Sequence, residues 1–164
     1  MSKYFDAYRI DHVLGFFRIW EIPADAVHGL LGQFAPSLGM SREEIEAYGL
    51  PFHEDHFTKP FISDWILDRL FHEKAEDVKR LYLNHSHDDI YVLKPEFDTQ
   101  KKIEAVFATE RLQLEAMSSN RKVLSEHDSL RDGLYSLVSN GRFLRDRKDP
   151  NLFHPRISAQ QDFT

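Results

Sequence analysis

Residues 4–23, YFDAYRIDHVLGFFRIWEIP, place Arg9 two residues before Asp11 at the end of an apparent β-strand. Side chains alternate across a strand and the chain rises about 3.3 Å per residue, so Arg9 and Asp11 share a face with Cα atoms about 6–7 Å apart. A guanidinium closes that gap easily. Hydrogen bonds from Arg keep an aspartate ionised, lower its pKa and fix its orientation, which a carboxylate nucleophile requires. An ion pair at a strand end would use the same two residues for stability alone. The choice between the two rests on the surrounding residues.

Arg9-Ile10-Asp11-His12, then Gly15, then Trp20-Glu21-Ile22-Pro23, closely resembles the nucleophile region of the 4-α-glucanotransferases. These are the amylomaltase or disproportionating-enzyme family, glycoside hydrolase family 77. The resemblance implies a parent (β/α)8 barrel in which this segment is the fourth strand and the loop after it. It implies that Asp11 forms a covalent glycosyl-enzyme intermediate, that Arg9 holds Asp11, and that His12 and Trp20 bind substrate. Barrel geometry is consistent with this, because Phe5, Ala7, Arg9 and Asp11 would share the inward face that builds active sites at strand C-termini. Trp20 and Glu21 could equally be a core tryptophan and a structural carboxylate, although an aromatic near a sugar site makes a good stacking platform. From there to Phe153-His154-Pro155-Arg156, the chain more loosely resembles the type-2 disproportionating enzymes, which carry a long insertion after the nucleophile.

Retaining glycoside chemistry needs a second carboxyl group about 5–5.5 Å from the nucleophile. No second apolar strand ending in Glu or Asp follows in this sequence. Glu126-His127-Asp128 lies in a stretch where Val123, Leu124, Leu130, Leu134, Leu137 and Val138 keep a helical period, so the triplet reads as a solvated helix face. A complete barrel takes about 250 residues, and this chain has 164. The expectation is therefore a mainly α-helical chain with a few short β-strands, a piece of a larger barrel enzyme and inactive by itself. Residues 1–23 would be the barrel strand and nucleophile motif, and 24–164 a mostly helical insertion.

Several elements are legible beyond the motif. Pro23 opens a helix-like stretch with Ala24, Val27, Leu30 and Leu31. Ser41-Arg42-Glu43-Glu44 is a capping box for a short helix ending near Gly49. LPFHEDHF, residues 50–57, reads as an irregular loop. Ile62, Trp65, Ile66, Leu70 and Phe71 recur at helical spacing, with Trp65 assigned to the core. A helix over 75–84 precedes a polar break, Asn84 to Asp89, and IYVLK at 90–94 is a strand stopped by Pro95. Two long helices over about 98–117 and 122–139 follow, then a strand pair near 142–158 turning at Asp149-Pro150-Asn151.

Composition narrows the function classes. A formal net charge of −6, with 21 basic and 27 acidic residues, argues against a nucleic-acid partner, which would need clustered Lys and Arg. With no cysteine there is neither a disulfide nor a thiolate metal site, which fits a cytoplasmic protein. No apolar run reaches the roughly 18 residues of a membrane span. No cofactor is implied. His53-Glu54-Asp55-His56 and His85-x-His87-Asp88-Asp89 contain metal-ligand types but match no recognised ligand motif, so no metal is assigned. The implied partner of the parent enzyme is a malto-oligosaccharide or glucan, and a homo-oligomer is compatible with the sequence. The competing reading makes the helical part a non-catalytic module for glycan binding or subunit interaction, favoured if aromatics around Phe52, Phe57 and Trp65 are exposed.

Overall fold

The computed structural model describes residues 17–117, 120–146 and 148–156. The expected strand over residues 4–11, with Arg9, Asp11 and the adjoining His12, lies outside the described residues. Strands β1 (Ile19–Glu21) and β2 (Gln33–Ala35) form an antiparallel ribbon, with Trp20 opposite Phe34. Helices α1 (Arg42–Ala47) and α2 (Glu54–Thr58) precede strand β3 (Ile62–Ser63) and helix α3 (Asp64–Phe71). After a 3-10 turn over His72–Lys74 come helix α4 (Ala75–Tyr82) and the hairpin β4 (Leu83–His87) and β5 (Ile90–Leu93), whose strand β5 also pairs with β3. Helices α5 (Gln100–Met117) and α6 (Arg121–Val138) pack as an antiparallel pair before the ribbon of β6 (Phe143–Arg145) and β7 (Phe153–Pro155). Among the described residues, helices dominate and strands are short.

Two apolar clusters hold these elements. The larger joins one face each of α3, α4, α5 and α6, with Ile66, Leu67, Phe71, Val78, Ile103, Phe107, Leu134 and Leu137 buried together. Each such side chain contributes about 1.5–3 kcal/mol by leaving water. The smaller cluster is Ile45, Phe52, Phe143 and Phe153, so the first helix, the loop after it and the terminal ribbon share one core. The expected capping box is present: Ser41 Oγ accepts from the Glu44 N–H at 3.3 Å and Glu44 Oε2 accepts from the Ser41 N–H at 2.7 Å. The expected strand pair near 142–158 is β6 and β7, and the Leu152 N–H closes its turn onto the Asp149 carbonyl at 3.1 Å.

Several local expectations are corrected. Residues 23–31 do not form an α-helix: only a 3-10 turn, Gly29–Leu31, appears. Their backbone is satisfied from elsewhere, because the buried Gln100 Oε1 accepts from the Val27 and His28 N–H groups at 2.8 and 2.9 Å. A helical turn would have spent those donors internally. The loop expected over 50–57 contains α2, with Phe57 half-buried and packed edge-on to Phe143 at 5.9 Å. The polar break at 84–89 is mostly strand β4 and a turn, in which Asp88 adopts φ 46° and its carbonyl meets His85 Nε2 at 2.5 Å.

Of Glu126-His127-Asp128, Glu126 is exposed as expected, whereas His127 and Asp128 turn toward α5. His127 lies against the Phe107 ring at 4.8 Å and reaches Glu110 at 3.2 Å, Asp128 pairs with Arg111, and Glu126 with Lys74 at 2.9 Å. These contacts stitch α6 to α5 and to the turn before α4. Trp65, assigned to the core, is 58% exposed. The helical period located its helix correctly, but α3 starts at Asp64, which puts Trp65 in the first turn and turns Ile66, Leu67 and Phe71 inward.

Candidate functional site

Trp20 is the one sequence-assigned site residue among the described residues. Its place is set by a short ribbon and a close approach. The indole Nε1–H donates to the Gly29 carbonyl at 2.8 Å, and the ring meets Phe34 edge-on at 4.9 Å. A Cβ on Gly32 would lie 2.4 Å from that nitrogen, so only glycine lets the chain pass so close beneath the indole. Arg18 covers the Phe34 ring at 4.5 Å, extending the aromatic surface with a cation. Glu21, the next motif residue, pairs with Gln33 and is exposed.

This ribbon forms one wall of a cleft of about 560 Å³ whose other wall is β6 and β7. Residues 36–38 cross between the walls. Ser37 Oγ lies 3.1 Å from His154 Nδ1, and His154 Nε2 lies 2.7 Å from Asp146 Oδ2. Asp146 Oδ1 also accepts from the N–H groups of Lys148 and Asp149 at 2.7 and 2.9 Å. The His154 hydrogen bond first, and these backbone donors after it, hold the Asp146 carboxyl at a pKa of about 2. His154 itself is buried. Serine, histidine and aspartate are the residue types of a nucleophile, base and orienting group, but here they brace the crossing segment against the terminal ribbon.

Arg156 carries polar atoms that the fold leaves unspent among the described residues. Its N–H donates to the Arg142 carbonyl at 2.8 Å, which seats it at the end of β7. Its Nε and Nη1 are shielded from water and have no hydrogen-bond partner among the described residues, and burial pushes the guanidinium pKa below its usual value. Gln33 Oε1, on the opposite wall, is likewise shielded and unpartnered among the described residues. Buried polar atoms are normally satisfied, and the exceptions concentrate where a ligand or water completes the set. An aromatic wall beside unspent Arg156 donors and an unspent Gln33 acceptor suits a polyol, whose hydroxyls donate and accept while its C–H faces pack on rings.

The structure therefore brings Trp20 together with Phe34, Ser37, His154 and Arg156. Sequence reasoning missed the last four, and no local signal could have revealed them, since Ser37 and His154 are 117 positions apart. The two histidine-rich groups do not meet: one is on α2 and the other on the β4–β5 hairpin. Among the described residues, no group of three or more His, Asp or Glu is placed to hold a metal ion. No helix among them is long and apolar enough to cross a membrane.

The model of the 4-alpha-glucanotransferase family matches residues 1–129. Over 160 residues the chain is 38% identical to the 4-alpha-glucanotransferase DPE2 of Oryza sativa subsp. japonica, an alignment covering 98% of this chain and 16% of that relative. The chain thus spans about a sixth of the relative's length. No solved structure matches.

Proposed function

The chain belongs to the 4-alpha-glucanotransferase family, and from that membership we propose that it supplies the nucleophile segment of a longer enzyme that moves α-1,4-linked glucosyl units onto sugar hydroxyls. The observation that carries the reading is the Arg9-Ile10-Asp11-His12 motif with its Trp20-Glu21-Ile22-Pro23 extension, inside the family-matched residues. Asp11 attacks the anomeric carbon, the glycosidic C–O bond breaks, and a covalent glycosyl ester forms with retention over the two displacements. Arg9 keeps Asp11 ionised and aimed, and His12 lies beside the bound sugar. The leaving oxygen takes its proton from a second carboxyl group elsewhere in the longer polypeptide, which later removes a proton from the acceptor hydroxyl. By this reading the present residues alone do not turn over substrate.

Trp20 stacks on a glucosyl unit in the cleft it shares with Arg156 and Gln33. What supports this is the aromatic wall and the two unspent polar groups. The test is disproportionation of maltotriose by the complete enzyme carrying this segment, followed as glucose release. Asp11→Asn should lower the rate roughly a thousandfold or more, as expected when one member of a coupled catalytic set is removed. A wild-type rate in that variant would remove Asp11 from the mechanism.

A further inference from the structure

Trp65 is exposed on a helix whose neighbouring residues Ile66 and Leu67 are buried, so the fold leaves a large aromatic surface without a protein partner among the described residues. It stands at a cleft of about 660 Å³ between α2, α3 and the end of α6, lined also by Phe57, Phe61, His53, Arg69 and Asn140. That volume falls within the range of about 300–1,000 Å³ typical of small-molecule sites. This cleft and the one at Trp20 share no lining residue.

We propose that this is a second α-glucan site, with Trp65 as its stacking platform. The proposal rests on the glucan reading above and adds to it a binding surface on the helical part, remote from the proposed nucleophile in sequence. Ring chemistry comes first: an exposed indole in a cleft also lined by Phe57 and Phe61 offers flat apolar surface to the C–H face of a pyranose. The polar groups then choose among ring-bearing ligands. Arg69 offers only donors. Asn140 spends its Nδ2–H on the Phe61 carbonyl, leaving Oδ1 to accept, and Ser136 spends its hydroxyl hydrogen on the Asp132 carbonyl at 3.0 Å, leaving its lone pairs. Among the described residues the lining includes two arginines and no carboxylate, which could suggest an anion. A phosphate, however, presents mainly acceptor oxygens and no C–H face, and would leave the aromatic surface and most of the Asn140 and Ser136 acceptor capacity unmatched. Sugar hydroxyls match both kinds of group.

The test is calorimetric titration of this chain with maltoheptaose, using wild type, Trp65→Ala, Trp65→Phe and Trp20→Ala, with inorganic phosphate as a parallel titrant. Because Trp65 is exposed, Trp65→Ala should leave the circular dichroism and melting curve unchanged. The expected result is saturable maltoheptaose binding weakened about tenfold or more by Trp65→Ala, partly kept by Trp65→Phe, and persisting in Trp20→Ala. The proposal is overturned by no saturation with maltoheptaose, by equal affinity in Trp65→Ala, by loss of all binding in Trp20→Ala alone, or by saturation with phosphate only. Loss in Trp20→Ala alone would support the first cleft while removing the second. The proposed chemistry of Asp11 is read in a separate assay and does not stand or fall with Trp65.

Discussion

Gln100 shows how much of this fold depends on single polar side chains. It is 1% exposed, its Oε1 accepts two backbone N–H groups, and its Nε2 donates to Ser139 Oγ at 3.3 Å. Gln100→Leu keeps the bulk but strands two backbone donors, so stability should fall by about 1–3 kcal/mol in urea unfolding. Asp146 gives a prediction of opposite pH character from a basic group. Its folded-state pKa, about 2, lies below the ordinary 3.8, so the stability it contributes is fully present above pH 3.8 and is lost as pH falls through 2. Asp146→Asn should lower the melting temperature at neutral pH and flatten its decline between about pH 4 and pH 2. An unchanged decline would mean that the His154 and backbone contacts do not act through the carboxylate charge.

At the scale of elements, close approach decides where helices sit. A Cβ on Gly133 would lie 2.4 Å from Cε1 of Phe71, so α6 can lie against the end of α3 only with glycine there. Gly133→Ala favours the helix by up to about 1 kcal/mol in propensity. Overpacking costs about 1–3 kcal/mol and wins, so the melting temperature should drop, and recover in part when Phe71→Leu is added. Legibility follows the same logic of range. The Ser41 capping box and the long helices α5 and α6 were readable because each is set by residues within one or two turns. The segment 23–31 was not, since its conformation is dictated by Gln100, more than 70 positions away. Trp65 departs from its expected core place because a helical period identifies a helix before it identifies which of its residues lies at the rim.

Over the whole molecule, a larger core on α3 to α6 and a smaller one beneath the terminal ribbon carry two clefts of different lining. The chemistry-bearing motif was legible in twenty contiguous residues, whereas both clefts assemble from distant segments and needed the fold. The chain spans about a sixth of its Oryza sativa relative's length, and by the proposed function Asp11 is one catalytic carboxylate whose partner lies elsewhere in a longer enzyme. The most direct measurement of that claim is to identify the residue that becomes glycosylated. The complete enzyme carrying this segment would be incubated with a slow fluorinated glucosyl donor, digested, and its peptides weighed by mass spectrometry. The account predicts a peptide containing Asp11 heavier by the donor's glycosyl unit, and no adduct there in Asp11→Asn. An adduct on another carboxylate, with the Asp11 peptide unmodified, would contradict it.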